Sequence, residues 1–182
     1  GLDIASFDPQ TDPVISTRFN ADDLSVRTQN KTALQEKLGL PLVDDVPLLG
    51  MVSRMDEAKG IDIALKGLKM LSKQKWQLVI LGAGNPKIEE QAKKLQELLP
   101  DRVRVETRYD AKLARQIYAG SDIFLMPSRY EPCGISQMIA MRYGSVPLVR
   151  AVGGLHDTVT DSETGFVFVD KKVKSFNDTL KR

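Results

Sequence analysis

The stretch Phe124-Leu125-Met126-Pro127-Ser128-Arg129-Tyr130-Glu131-Pro132-Cys133-Gly134-Ile135-Ser136-Gln137-Met138-Ile139-Ala140-Met141-Arg142-Tyr143-Gly144 decides how the 182-residue chain is read. The apolar run Ile123 to Met126 has the length of a fully buried strand, and Pro127, which has no N–H for a ladder, closes it. Beyond the polar Ser128 to Glu131 come Pro132 and Gly134. Positions 135, 138, 139 and 142 then recur at helical spacing, with Ile135, Met138 and Ile139 giving one apolar face. A strand, a sharp Pro/Gly loop and a helix start together put free backbone N–H groups, an arginine and a carboxylate at the carboxyl end of a strand. Open α/β sheets bind ligands there. An ordinary strand-to-helix turn with a solvated Arg-Tyr-Glu fits the spacing equally well.

Working outward, the same unit recurs. Pro47 to Val52 reads as a buried strand, Ser53 to Gly60 as a polar loop, and Ile61, Ala64, Leu65, Leu68 and Leu71 as the inner face of a helix. Trp76 to Leu81 is the next strand, followed by Gly82-Ala83-Gly84-Asn85-Pro86 and a helix with Ile88, Ala92, Leu95 and Leu99 inward. The glycine pair is not a dinucleotide fingerprint, because Lys87 stands where a third small residue should let helix and strand pack. A short strand at Arg102 to Glu106, a loop with Tyr109 and a helix from Asp110 to Ala119 lead into the Ile123 strand. After it come a strand at Val146 to Arg150, a turn at Gly153-Gly154 into a helix over Leu155 to Val159, a strand at Gly165 to Val169 and a helix over Val173 to Leu180. Upstream, Asn30 could cap a helix with Ala33, Leu34 and Leu38 inward and Gly39 at its end. Residues 1–27, with Pro9, Pro13 and little periodicity, form an irregular lead-in, and residues 28–182 form one domain. Strands alternating with helices at this spacing predict an α/β, Rossmann-like doubly wound parallel sheet. The loops at Arg54 to Lys59, Gly82 to Asn85, Tyr109, Arg129 to Gly134 and Ala151 to Gly154 then share one edge.

Composition excludes several classes. With Lys+Arg 26 against Asp+Glu 24 there is almost no net field, so neither nucleic acid nor an anionic membrane is called for. Cys133 is the only cysteine and His156 the only histidine, which removes intrachain disulfides, cysteine-rich zinc sites and multi-histidine metal clusters. His156 reads as structural or solvated. No window approaches 18 apolar residues, and Gly1-Leu2-Asp3-Ile4 has no signal-peptide character, so a cytoplasmic setting is expected. The missing initiator Met and the uncapped end at Lys181-Arg182 read as a fragment cut at both ends.

Arg54 and Lys59 put two cations in one loop of the ligand edge, and a helix beginning near Gly134 would point its partly positive end at the same region. That outlines a diphosphate site, in which an arginine grips two oxygens, a lysine supplies a point charge, and both stabilise a leaving nucleoside diphosphate. Pairing of these cations with Asp56, Glu57 or solvent is the plainer alternative.

Ser53-Arg54-Met55-x-x-x-Lys59-Gly60, Tyr109-Asp110, Ile117-Tyr118-Ala119-Gly120-x-Asp122, Pro127 to Gly134 with Ala140-Met141-Arg142-Tyr143-Gly144, and Gly153-Gly154-Leu155-x-Asp157-Thr158-Val159 occur in an order that resembles the C-terminal domain of bacterial glycogen synthases and plant starch synthases. The likeness runs from Gly1 to about Phe168. It implies the donor-binding, C-terminal half of a two-domain GT-B enzyme that transfers glucose from ADP-glucose to the non-reducing end of an α-1,4-glucan with retention. No cofactor or metal is implied, and the glucan acceptor would be met through an N-terminal domain, so this half alone would not transfer glucose. The setting would be bacterial cytoplasm or plastid stroma. By the same resemblance Arg54 and Lys59 hold the diphosphate, Glu131 sits against the transferring glucose, backbone N–H groups around Cys133, Gly134, Ile135 and Ser136 cap the distal phosphate, and Tyr109 packs on the adenine. Wider relatives carry a second glutamate where Ile139 stands, so a ribose contact from that position is missing. A GT-B transferase using UDP- or GDP-sugar, or a non-catalytic nucleotide or glucan-binding module, are the rival readings.

Overall fold

A computed structural model describes residues 1–182. Six strands, β1 (Leu48–Val52), β2 (Gln77–Leu81), β3 (Val103–Glu106), β4 (Ile123–Met126), β5 (Val146–Arg150) and β6 (Phe166–Phe168), form one sheet in the order β3-β2-β1-β4-β5-β6. Every pairing is parallel, from Leu48 opposite Gln77 to Arg150 opposite Phe168. The expected doubly wound sheet is therefore present. Its strand order reverses between β1 and β4, which opens a crevice between the loops that follow those two strands.

Seven helices cover the sheet: α1 (Thr28–Leu38), α2 (Ile61–Met70), α3 (Pro86–Leu98), α4 (Ala111–Gly120), α5 (Ser136–Arg142), α6 (Gly153–Thr158) and α7 (Val173–Leu180). Alternate residues of each strand face opposite sides. Leu48, Val79, Phe124, Met126 and Val149 pack against α1, α4, α5 and α6, while Leu49, Met51, Ile80, Leu125 and Leu148 pack against α2, α3 and α7. The strands read as continuous apolar runs because both faces are covered. No helix is long and apolar enough to cross a membrane.

Residues 1–27 contain no helix or strand, yet Ile15 and Phe19 are buried in the same cluster as Leu34, Phe124 and Tyr143. Asp12 ties this segment down by accepting hydrogen bonds from Tyr143 Oη and Arg115. Burial and the Asp12 carboxylate push the Tyr143 phenol far above its ordinary pKa. Arg27 adds hydrogen bonds from Nε to Tyr143 O at 2.8 Å and from Nη2 to Ser121 O at 2.7 Å.

Three local expectations are corrected. Asn30 does not cap α1: it lies inside the helix, and its amide holds Thr17 O at 2.8 Å and Thr17 N at 3.0 Å. Tertiary partners in the lead-in outbid the local cap. The helix near Gly134 begins later, at Ser136, because Gly134 is left-handed (φ 69°) and Ile135 is its non-helical N-cap. The buried face is accordingly Gln137, Ile139 and Ala140, and Ile135 is exposed. A 3-10 turn, Glu57–Lys59, also occupies the loop after β1, capped by Asp56, whose carboxylate accepts from Lys59 N.

Candidate functional site

The loops after β1 and β4 meet across the crevice. Arg129 and Tyr130 both donate their backbone N–H to Ala58 O, at 2.7 and 3.2 Å. The Arg129 side chain adds a bidentate pair to Asp62 at 2.6 and 2.8 Å, and a bond to Glu57 O at 2.9 Å. The guanidinium holds the Asp62 carboxyl below its ordinary pKa, and the same hydrogen bond raises that of Arg129. With the loops fixed in this way, Lys59 Nζ reaches Glu131 Oε2 at 2.6 Å. The side chains are 20% and 9% exposed, and Ser128 Oγ lies 3.4 Å from the same oxygen. A pair so little exposed, at such a short distance, is far more constrained than a surface ion pair.

The plainer alternative holds for only one of the two cations. Arg54 is 81% exposed and pairs with Asp56 at 3.2 Å, so its guanidinium is free to move, whereas Lys59 is taken by Glu131. Arg54, Tyr109 and Ser136 line a cleft of ≈ 340 Å³, together with Val52, Leu81 and Ala83 from the ends and loops of β1 and β2. Tyr109 is 92% exposed beside that cleft, just before α4, where Asp110 caps the helix by accepting from Leu113 N at 2.9 Å.

The turn that leads into Ser136 is held by the carbonyls of Glu131, Pro132 and Gly134. Gly154 N–H donates to Glu131 O and Pro132 O, both at 3.2 Å, and Gln137 Nε2 donates to Gly134 O at 3.1 Å. The Cys133 carbonyl packs so tightly on Gly154 that a Cβ there would lie 1.6 Å from its oxygen. All peptides are trans, so an N–H points opposite to the C=O of its own plane. The N–H groups of Cys133, Gly134 and Ile135 therefore face away from α6 and Gln137. None of these, nor that of Ser136, donates to a protein acceptor. Successive N–H groups presented in this way make an anion-binding concavity. Ser136 Oγ accepts from Tyr118 Oη at 3.2 Å, Cys133 is exposed, and His156 is exposed on α6. Ile139 is buried in the core and presents no polar group to the cleft.

The glycine pair after β2 has a different use. A Cβ on Gly82 would lie 1.8 Å from Ser53 O, and one on Gly84 2.7 Å from Met55 O. These glycines let two backbones touch, with Met55 N on Ala83 O at 2.9 Å and Asn85 N on Met55 O at 2.7 Å.

Sequence reasoning overlooked Asp62, Gln137 and Arg150. Asp62 could have been suspected as an acid in the first turn of a helix that starts at the ligand edge. Arg150, a cation closing a buried parallel strand, also stood out in principle.

The family model "Glycosyl transferases group 1" matches residues 32–182. A glycogen synthase of Streptococcus gordonii is 48% identical over 92% of this chain, and the chain spans 37% of that relative's length. The structure is similar to the catalytic domain of starch synthase IV from Arabidopsis thaliana bound to ADP and acarbose, with a TM-score of 0.94 and 37% identity over 100% of this chain and 40% of that one. A sucrose-phosphate synthase from Thermosynechococcus elongatus superposes with a TM-score of 0.69 at 28% identity, over 82% of this chain and 38% of the other.

Proposed function

This chain belongs to the glycosyl transferases group 1 family, and we propose that it forms the donor-binding half of a glycogen or starch synthase. The donor in this reading is ADP-glucose, the acceptor is the non-reducing end of an α-1,4-glucan, and transfer proceeds with retention. The acceptor is met through a further domain of the whole protein, and the setting is the bacterial cytoplasm or a plastid. The observation that carries the reading is the 2.6 Å pair between Lys59 Nζ and Glu131 Oε2 across the crevice, beside a row of N–H groups with no protein acceptor.

Each group then has a task. Lys59 has three protons and uses one on Glu131, which leaves donors for a phosphate oxygen. Arg54, exposed and weakly held, closes onto the diphosphate, and the N–H groups of Cys133 to Ser136 meet its distal phosphate. As the bond from the anomeric carbon to the phosphate oxygen breaks, its electron pair goes to the diphosphate, whose growing charge these cations and N–H groups stabilise. The sugar becomes correspondingly cationic beside the Glu131 carboxylate. The acceptor hydroxyl oxygen forms the new bond to the anomeric carbon and passes its proton to the departing phosphate oxygen, and Tyr109 stacks on the adenine.

Calorimetric titration of ADP, UDP and GDP tests this. ADP is expected to bind in preference to the other two, and Tyr109→Ala to weaken it by about 1–3 kcal/mol, the usual worth of a base on an aromatic ring. A preference for UDP or GDP would move the reading to another nucleotide sugar, and binding without transfer in the full-length protein would leave a nucleotide-binding module.

A further inference from the structure

We propose that Arg150 is a positioning residue for the Lys59–Glu131 pair, an inference that rests on the reading of those two residues given above. Arg150 ends β5 and is only 7% exposed, and no carboxylate lies within ion-pair distance of it. A buried charge is costly unless it is well hydrogen-bonded. Its partners are all carbonyl oxygens: Nε donates to Ser128 O at 2.6 Å, Nη2 to Arg129 O at 2.7 Å, and Nη1 to Val169 O at 3.5 Å. Burial, and then the charge of Arg129, lower its pKa, yet a guanidinium stays protonated.

The two short bonds act on two successive peptide planes. The Ser128 carbonyl shares its plane with the Arg129 N–H, and the Arg129 carbonyl with the Tyr130 N–H, and in a trans peptide these groups point in opposite directions. Both N–H groups end on Ala58 O. The segment from Ser128 to Tyr130 is thus stretched between one planar guanidinium and one carbonyl of the facing loop. Lys59 directly follows that carbonyl's residue, and Glu131 directly follows Tyr130. The clamp therefore sets the separation across which Nζ meets Oε2. A lysine at position 150 could not span both carbonyls with a fixed fork.

The test uses the full-length synthase that contains this chain, with Arg150→Lys, Arg150→Gln and Arg150→Ala. One arm needs no catalysis: the coupling between Lys59 and Glu131 is measured as a double-mutant cycle in thermal stability (Lys59→Met, Glu131→Gln), once with Arg150 and once with Gln at that position. The coupling is expected to vanish in the second background, and an unchanged coupling overturns the proposal. The second arm measures turnover. For Arg150→Gln and Arg150→Lys kcat is expected to fall about 100-fold, the scale of a small misplacement, while ADP affinity stays near wild type. Added guanidinium should return part of the activity of Arg150→Ala. Lowered melting temperatures with unchanged kcat make Arg150 merely structural and overturn the proposal. If the coupling is lost but the wild type transfers no glucose, the clamp stands and the functional reading of the pair falls.

Discussion

The loops after β2 and β4 both leave the same edge of the sheet and both contain glycines, but they dispose of their backbone N–H groups in opposite ways. After β2, Gly82 donates to Glu106 O, Gly84 to Glu89 Oε1 and Asn85 to Met55 O. After β4, Cys133, Gly134, Ile135 and Ser136 donate to nothing in the protein: the carbonyls that share peptide planes with the Cys133 and Ile135 N–H groups, those of Pro132 and Gly134, are held by Gly154 and Gln137, and the Cys133 carbonyl, in the plane of the Gly134 N–H, packs on Gly154. A glycine-rich loop is therefore an anion site only when its donors are left over. In the first loop glycine serves backbone contact. In the second it serves a turn that points donors outward.

The largest expected contrast is chemical. Lys59→Ala, Arg54→Ala and Glu131→Gln in the full-length enzyme are each expected to raise the barrier to transfer by about 2–4 kcal/mol, the scale of losing a preorganised charge partner. Glu131→Gln should leave ADP affinity nearly unchanged, since in the proposed reading Glu131 faces the sugar and the phosphates are met by Arg54, Lys59 and the N–H groups of Cys133 to Ser136. Lys87→Ala, beside the other loop, should change neither quantity. Steady-state kinetics and ADP titration decide this, and wild-type turnover in Lys59→Ala would dissolve the contrast.

Next come Gly154→Ala and Gly82→Ala. Both place a Cβ within 2 Å of a carbonyl oxygen, at Cys133 and Ser53 respectively. Each is expected to cost about 1–3 kcal/mol of stability by overpacking, or more where the backbone cannot give. Only Gly154→Ala should also abolish ADP binding, because it displaces the carbonyl that aims the Gly134 N–H. Equal loss of ADP binding in both variants would show that the loops are not functionally distinct.

The smallest effect is electrostatic. The loop after β4 leans on the Arg129–Asp62 pair, while the loop after β2 is held by its backbone. The folded-state pKa of Asp62 lies below its ordinary 3.8. Its contribution is therefore complete above that value and is lost as the pH falls through the lower folded value. The pair is partly solvated, so the loss should stay under about 1 kcal/mol. Melting curves between neutral and acidic pH should show Asp62→Asn less acid-sensitive than wild type. Amide exchange should report loosening at Arg129 and Tyr130 but not at Gly84 and Asn85.

Hydrophobic period and turn residues were enough to read the six strands, the seven helices and the shared loop edge. They also put Arg54 and Tyr109 on that edge, and both line one cleft with Ser136, which only the resemblance had named. The Lys59–Glu131 contact was not legible, because its partners are 72 residues apart and meet only through the strand order. Arg150 reads from sequence only as the end of a strand, since nothing local says that its fork will find two carbonyls of a neighbouring loop. Asn30 misled for the same reason: its partner Thr17 lies in a segment without periodicity.

The tie between Asp12 and Tyr143 spans 131 residues. A chain made from its N-terminal end has Ile15 and Phe19 long before the α4 and α5 surface that completes their cover, so during synthesis these apolar groups lack that part of it until residue 143 has emerged. Contacts so remote in sequence also close late in refolding, after the parallel sheet has a frame to receive them. The lead-in can meet α1 early through Thr17 and Asn30, but its tie to Tyr143 is expected to close late, and until it does the apolar Ile15 and Phe19 are an aggregation hazard.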